Sequence, residues 1–239
     1  MHKGIVVSDL HLFASRSAGE SNFAELSAHL REVDVLVLNG DIFDFRWASC
    51  SHSISIPKAL DWLKNLKDDF PEVTLYFIPG NHDCLPAFVS EVDDMPGIEL
   101  HEHHLLLGKN LFLHGDAATA RMDHAGFRKF RSGWEIDSPR GRLSAGLYHA
   151  ADHLRLTDLT HGLWFGGMRA IRRLIWHLDQ VRPGWKDEVE ECFFGHTHLP
   201  LSGIEEEGVR FHNTGSGIRG ASFVPIRFHY RSHQTLSIE

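Results

Sequence analysis

The residues whose types and spacing suggest chemistry lie directly after short apolar runs of the sequence. They are Asp9, His11, Asp41, Asn81, His114, His196 and His198. Within two pairs, Asp9/His11 and His196/His198, the residues are two positions apart, so both side chains of a pair lie on one side of an extended chain. The set combines carboxylate, carboxamide and imidazole groups and contains no thiolate. Such a set favours a divalent ion such as Mn, Fe, Zn or Mg.

The size of the set indicates two ions. Seven candidate ligands exceed what one tetrahedral zinc ion requires. Two ions that share a carboxylate lie about 3.5–4 Å apart and can stabilise both the attacking and the leaving oxygen of a phosphoryl transfer. The spacing therefore predicts a dinuclear centre for phosphoryl chemistry.

The apolar runs predict the elements that position these residues. Gly4 to Ser8, "VDVLVLNGD" and "VTLYFI" predict buried strands. Between them, Phe23, Leu26 and Leu30 predict a helix capped by Asn22, and Leu60, Leu63 and Leu66 predict a second helix with Pro57 near its start. This β-α-β-α-β order implies a parallel sheet, whose strands bring their carboxyl ends to one edge.

Later runs predict further strands. "GKNLFLHGD" and "VEECFFGHTH" each predict a strand that ends in polar residues, and "VRFHNTGS", "FVPIRFHYR" and "TLSIE" predict late, antiparallel strands. The run "HEHH" (His101 to His104) precedes a strand and is expected at the surface, at the end opposite to the polar tips. His212 and His229 are expected to be structural.

Composition limits the class of protein. The chain has 239 residues, 42% of them hydrophobic, and a net charge of −8. This favours one substantial domain and argues against a general nucleic-acid binder. Its three cysteines form no C-x-x-C pair, which is typical of a reducing compartment. Cys84 is expected to be a buried thiol, with a nucleophile as the alternative. No signal peptide or membrane-spanning run is found, so a cytoplasmic protein is expected.

Five motifs, in order along the chain, carry a resemblance to a known family. "SDLH", "NGDIFD", "PGNHD", "HGD" and "GHTH" resemble the motifs of the calcineurin-like metallophosphoesterase superfamily. The resemblance implies an α/β fold, a four-layer αββα sandwich with the site at the strand tips. It covers the chain as a single domain, 1–239, apart from a helical insertion at 117–181.

The resemblance also implies roles for the residues that match the motifs. One metal would be bound by Asp9, His11, Asp41 and His198, and the second by Asp41, Asn81, His114 and His196. The implied cofactors are two divalent ions, Mn first, which activate the attacking water. His82 would face the phosphate as proton donor or stabiliser of charge, and Asp44 would orient His82 and keep it protonated. Asp83 and Asp116 are expected to support the ligands or to form turns.

One branch of the superfamily is especially similar to this sequence. The stretch "LFLHGDAATARMDHAGFRKFRSGW" and the later "NTGS" resemble UDP-2,3-diacylglucosamine hydrolases, pyrophosphatases of lipid A synthesis that act on a lipid-bearing nucleotide sugar. That branch has Arg at the position of His82. The expected substrate is therefore a small-molecule phosphodiester, pyrophosphate or phosphomonoester, with the lipid-linked nucleotide sugar among the candidates.

The insertion suggests contacts of its own. It contains ten Lys/Arg and six Asp/Glu, and Arg121, Arg128 and Arg131 are expected either to contact substrate phosphates or to be solvated. Its last helix has an apolar stripe, with Arg169, Arg172, Arg173 and His177 away from it; the stripe members are Phe165, Met168, Ile171, Leu174, Ile175 and Leu178. This helix is expected to pack on the domain, with a basic lid or a peripheral membrane contact as the alternative.

Two other functions are alternatives to a hydrolase of small-molecule phosphoesters. A phosphoprotein phosphatase of this superfamily carries "GDxxDRG", whereas here Asp44 is followed by Phe45 and Arg46. A non-catalytic binding module on the same fold typically loses metal ligands or the His of "GNH", and none is missing here. Both remain alternatives to the predicted hydrolase.

Overall fold

A computed structural model describes residues 1–135 and 166–231 of the chain. In these ranges ten strands form two five-stranded sheets. The first sheet has the order β10-β1-β2-β3-β4, and its strands are β1 (His2–Val7), β2 (Val35–Asn39), β3 (Thr74–Ile78), β4 (Ile98–Leu100) and β10 (Ile226–Tyr230). Strands β1, β2 and β3 are parallel, as predicted, and β4, which the sequence patterns missed, continues the parallel order; β10 adds to β1 in the antiparallel direction.

The second sheet is mixed. Its order is β5-β6-β7-β9-β8, and its strands are β5 (Leu105–Leu107), β6 (Asn110–Phe112), β7 (Glu191–Phe194), β8 (Leu201–Glu206) and β9 (Val209–Asn213). Strand β9 is parallel to β7, so the expectation that this late strand is antiparallel is wrong with respect to β7. It pairs in the antiparallel direction with β8, a strand that the sequence patterns missed.

Helices cover the outer face of each sheet. They are α1 (Gly19–Leu30), α2 (His52–Asp69), α3 (Pro86–Asp93), α4 (His124–Ser132), α5 (Gly167–Val181) and α6 (Trp185–Glu188), with a short 3₁₀ turn at Asp116–Ala118. The apolar sides of α1, α2 and α3 pack against the first sheet, and α5 packs against the second.

Side-chain alternation along the strands produces the layers. In β2, Leu36 and Leu38 point to the helices, whereas Val35 and Val37 point to the other sheet. The layer between the sheets also contains Phe112, Phe193 and Phe228. The fold is therefore the predicted four-layer αββα sandwich.

Two helix starts differ from the predictions. Asn22 lies inside α1, because the helix already begins at Gly19. Pro57 lies inside α2, which begins at His52. Asn22 and Pro57 were the start signals, and both helices extend toward the N-terminus beyond them.

The "HEHH" run lies at the surface, as expected, but at the end of the fold that carries the polar tips, so the expected end was wrong. Strand β5 forms an antiparallel hairpin with β6, and Leu105 pairs with Phe112. Residues just before β5 are therefore beside residues just after β6. His103 and His104 line a cavity of about 200 Å³ together with His114 and Asp116.

The predicted insertion, 117–181, is described only in part. Its residues 136–165, which include Phe165, lie outside the described ranges, as does the predicted strand "TLSIE". In α5, Ile171, Leu174, Ile175 and Leu178 are buried. Packing on the domain is thus confirmed for this face of the helix, whereas Met168 of the same stripe is exposed. His177, expected on the polar side, is buried with Nδ1 2.5 Å from the carbonyl of Met122.

No helix in the described parts of the chain has both the length and the apolar character needed to cross a lipid bilayer.

We expect Leu174→Ala to lower the free energy of unfolding by about 2–5 kcal/mol, because it leaves a cavity between α5 and the second sheet. Leu174 is fully buried. Met168 lies on the same helix but is 39% exposed. Met168→Ala should therefore change the free energy of unfolding by less than about 0.5 kcal/mol. Urea denaturation measures both variants, and equal effects would contradict the packing of α5.

Candidate metal centre

The seven predicted ligands gather at one edge of the sandwich, where the carboxyl ends of β1, β2, β3, β6 and β7 meet. Five of them are buried and two, His196 and His198, are half-buried; the buried ones are Asp9, His11, Asp41, Asn81 and His114. The side chain of Asn39, at the end of β2, joins the two sheets at this edge. Its amide donates hydrogen bonds to the carbonyls of Leu113 (3.0 Å) and Phe193 (3.2 Å).

One group of potential ligands consists of Asp9, His11 and His198, with one atom of each within 4.8 Å of the others. The Nε2 atoms of His11 and His198 are 3.0 Å apart. Nε2 of His198 is 3.3 Å from Oδ1 of Asp9. Two imidazole nitrogens and a carboxylate oxygen therefore point at a common position.

A second group consists of Asp41, His114 and His196, again within 4.8 Å of one another. Oδ2 of Asp41 is 3.2 Å from Nε2 of His114 and 3.8 Å from Nε2 of His11. Asn81 belongs to the same side, since its Oδ1 is 2.9 Å from Nδ1 of His196. The Asp41 carboxylate thus lies between the two groups.

The donor atoms fit a divalent cation. Nε2 of His114 is buried and, although it lies 3.2 Å from Oδ2 of Asp41, its geometry satisfies no hydrogen bond. A buried polar atom without a partner is costly, and a metal ion would supply the missing interaction. Carboxylate, imidazole and carboxamide donors in close groups are also the chemistry that such ions select.

Backbone strain is concentrated in these residues. In the described ranges, five of the seven non-glycine residues with positive φ are predicted ligands: Asp9, His11, Asp41, His196 and His198, with φ between 50° and 66°. Left-handed backbone is unfavourable for such residues and persists where the surroundings impose it, often at functional sites.

Hydrogen bonds to Asp83 impose the conformation of two of the loops. Its carboxylate accepts the backbone N–H groups of Gly80 (2.6 Å), Ile42 (2.8 Å) and Phe43 (3.2 Å), and that of Asp41 at 3.3 Å. Asp83 therefore holds the loop after β3 against the loop after β2, which is the supporting role left open for it.

A later loop supports Asp9. Ser8 donates to the Asp9 carboxylate and contacts the Thr214 hydroxyl at 2.6 Å. The Asp9 carbonyl accepts from the N–H of Gly217 (2.9 Å) and the hydroxyl of Ser216 (3.1 Å). The sequence pattern "NTGS" marked this loop, but spacing alone could not show that it contacts β1.

His82 lies at the open side of the centre and is held by Asp44. Its Nδ1 is 2.9 Å from Oδ1 of Asp44, as the resemblance implied. The other oxygen of Asp44 is 3.1 Å from Nδ1 of His11, a contact that was not predicted. One carboxylate therefore orients both a potential metal ligand and the potential proton donor.

Charge sets the protonation of the imidazoles. Burial lowers the pKa of His82, but Asp44 and Asp41 outweigh this effect and raise the pKa to about 9. Burial opposes ionisation of Asp44, yet the charge of His82 and the His11 hydrogen bond hold the pKa of Asp44 below its ordinary value. The two residues therefore form an imidazolium–carboxylate pair at neutral pH.

The two histidines of the second ligand group differ from each other. Burial lowers the pKa of His196 to about 4, which favours the neutral form that binds metals. For His114, burial also lowers the pKa, but Asp41 and Asp116 raise it to about 10. Metal binding to His114 would therefore release a proton.

Cys84 has the properties expected of a structural thiol. It is buried, and burial raises the pKa of its thiol to about 12. A thiol that stays protonated at neutral pH is a poor nucleophile.

Arg131 is placed differently from the prediction that it contacts substrate phosphate. Its guanidinium is buried and donates to the carboxylate of Asp116 and to the carbonyls of Gly80 (2.8 Å) and Pro79 (2.7 Å). The structure thus gives Arg131 the role of tying α4 to the "PGNHD" loop. Arg121 and Arg128 are exposed, and their substrate contacts stay predictions.

Sequence reasoning missed three neighbours of the centre. Thr119 has its hydroxyl 2.7 Å from Nε2 of His196. The indole of Trp134 lies 4.8 Å from the imidazole of His82, between ring centroids, and the guanidinium of Arg46 lies 4.3 Å from the Trp134 ring. No local pattern marks these residues, because each contact joins distant parts of the chain.

The chain is similar to known proteins in its sequence and fold. A family model described as calcineurin-like phosphoesterase matches residues 3–200. Over 134 residues the chain is 31% identical to a UDP-2,3-diacylglucosamine hydrolase of Shewanella sp. (strain MR-7) and 29% identical to one of Shewanella baltica (strain OS223). Each match covers 54% of this chain and 54% of the relative, so the aligned region spans about half the length of these relatives.

Two solved structures resemble the chain at low sequence identity. A dimetal phosphatase from Danio rerio has a TM-score of 0.46 and 11% identity, covering 96% of this chain and 93% of its own. A phosphopantetheinyl hydrolase from Mycobacterium tuberculosis has a TM-score of 0.45 and 15% identity, covering 90% of each chain.

We expect Gly195→Ala to reduce metal binding strongly, because the added methyl group would overlap the carboxylate of Asp9 and the hydroxyl of Ser8. Gly133→Ala is the control, since its methyl group would meet only a carbonyl oxygen at 3.4 Å. Metal content after dialysis against Mn²⁺ measures the effect. Full occupancy in Gly195→Ala would show that the Asp9 geometry is not needed.

Replacing Arg131 should destabilise the fold, whereas replacing Arg128 should not. Arg131→Ala leaves the buried Asp116 carboxylate without its partner, which costs about 3–5 kcal/mol of unfolding free energy. Arg128→Ala removes an exposed side chain and should cost less than about 0.5 kcal/mol. Thermal or urea unfolding of both variants tests this assignment. A stable Arg131→Ala protein would contradict the structural role of Arg131 and leave substrate binding as its predicted role.

Proposed function

This chain belongs to the calcineurin-like phosphoesterase family, and we propose that it is a metal-dependent hydrolase of phosphodiester, pyrophosphate or phosphomonoester bonds. One observation carries the proposal: two groups of metal-type donors lie on either side of the Asp41 carboxylate, beside the His82 imidazole held by Asp44.

The proposed ligands of the two ions are the residues of the two groups. Asp9, His11 and His198 with Asp41 would hold one ion, and Asn81, His114 and His196 with Asp41 would hold the other. Mn²⁺ is the first candidate, and Fe, Zn and Mg are the alternatives, since all accept these donors. When bound, divalent ions lower the pKa of water and stabilise negative charge on phosphate oxygens.

His82 is the proposed proton donor to the leaving oxygen. Its Nδ1 is engaged by Asp44, so Nε2 is the nitrogen that can donate to substrate. The backbone N–H of His82 donates to Oδ1 of Asp41 at 2.7 Å, which fixes the residue relative to the bridging position. Asp44 compensates the imidazolium charge and orients the ring.

The proposed substrate is a small molecule. Relatives that match half of the chain are named UDP-2,3-diacylglucosamine hydrolases, so a lipid-linked nucleotide sugar is the first candidate. The sequence departs from the pattern of that branch at His82, and simpler phosphodiesters and phosphomonoesters therefore belong in the same substrate panel. Exposed Arg121 and Arg128 are the proposed contacts to the substrate's phosphate groups.

A lipid-linked substrate would bring the protein to a membrane surface, and this contact is part of the proposal. The apolar face of α5 is buried, so the contact would rely on the exposed Arg169 and Arg172. Pelleting with vesicles of anionic phospholipid at low salt tests it. Equal pelleting with neutral vesicles would exclude a contact through charge.

We expect the protein to hydrolyse bis(p-nitrophenyl) phosphate with Mn²⁺, to lose activity after chelation and dialysis, and to recover it with added Mn²⁺. On an ester with a basic leaving group, such as methyl phenyl phosphate, His82→Ala should lower kcat by about 10² or more, the usual scale for loss of a general acid, with metal content unchanged. His29→Ala replaces an exposed histidine on α1 and should match the wild type. If no divalent ion supports turnover of any ester in the panel, the chain is better described as a binding module.

A further inference from the structure

The open side of His82 is covered by one aromatic side chain. The ring of Trp134, in the segment that follows α4, lies 4.8 Å from the His82 ring at an angle of 48°. The edge of His11 contacts His82 at a similar centroid distance, 4.8 Å, and Asp44 binds its Nδ1. The imidazole is thus enclosed by a carboxylate, a second imidazole and an indole, with 14% of its side chain exposed.

Arg46 holds Trp134 in this position. Its guanidinium lies 4.3 Å from the centre of the Trp134 ring, within the range of a cation–π interaction. Its Nη1 also donates to the carbonyl of Gly133 at 3.4 Å. Arg46 follows Asp44 by two residues, so one short loop binds His82 through Asp44 and fixes the indole against His82 through Arg46.

A single hydrogen bond does not fix an imidazole ring. The bond from Asp44 restrains Nδ1, but the ring can still tilt about the line between these two atoms. The indole of Trp134 and the imidazole of His11 both lie against the His82 ring, and these contacts restrict its tilt. A general acid must lie within hydrogen-bond reach of the leaving oxygen, and a small misplacement lowers the rate strongly.

We propose that Trp134 is a positioning residue, which keeps the His82 imidazole aimed at the leaving oxygen of the substrate. This rests on the proposed function, since it assumes that His82 donates a proton there. Trp134 itself does not bind metal and exchanges no proton. Its effect is therefore expected on the proton-donation step and not on the metal centre.

The test uses two diesters that differ only in the leaving group: methyl p-nitrophenyl phosphate and methyl phenyl phosphate. The phenolate is the more basic leaving group and depends more on proton donation. Trp134→Ala should lower kcat for the phenyl ester at least about tenfold more than for the p-nitrophenyl ester. Trp134→Phe keeps an aromatic ring and should largely restore the wild-type ratio. Metal content should equal that of the wild type in both variants.

A double-mutant comparison separates positioning from a general structural effect. In the His82→Ala background, Trp134→Ala should add no further selective loss on the phenyl ester, because the acid is already absent. Equal losses on both esters, or a selective loss that persists without His82, would overturn the proposal. If Trp134→Ala does not fold, Trp134→Leu retains apolar bulk and takes its place. A wild-type protein inactive on both esters and on every other ester of the substrate panel would instead contradict the proposed hydrolase function.

Discussion

The carboxylate of Asp41 is the interaction on which the site depends. Oδ2 faces His114 on one side and His11 on the other, while Oδ1 accepts the backbone N–H of His82. A buried carboxylate is stable only with such partners, and here the partners come from three separate loops. Gly80 follows from the same constraint, because a side chain at that position would overlap Asp41. The close packing around Asp41 therefore requires glycine at position 80 of "PGNHD".

The two sheets must keep a fixed offset for this arrangement to exist, since Asp41 belongs to the first sheet and His114 to the second. The apolar layer between the sheets supplies cohesion but little directional specificity. The relative position of the two sheets is fixed by Asn39 on β2, whose side-chain amide donates hydrogen bonds to the carbonyls of Leu113 and Phe193. Its backbone carbonyl also lies 3.2 Å from Nδ1 of His114, which leaves Nε2 for the centre.

The sequence predicts the candidate ligands and their strands because both depend on local signals: an apolar run, a glycine and a polar tip. It also predicts the αββα layers, although through the resemblance of motifs and not through periodicity alone. The supporting contacts escape such signals. Arg131 looks like any basic residue of an amphipathic helix, and only the tertiary structure shows that its guanidinium is buried against Asp116. The "HEHH" run was misplaced because the β5–β6 hairpin could not be recognised from the sequence.

The first part of the predicted insertion contacts the loop that carries Asn81 and His82. Arg131 in α4 binds the carbonyls of Pro79 and Gly80, directly before Asn81. Three residues later, Trp134 packs on His82. Both contacts converge on the "PGNHD" loop, one fixing its backbone and the other its imidazole. Any displacement of α4 would thus move a potential metal ligand and the proposed proton donor together. The position of α4 and the competence of the centre are coupled by these two contacts.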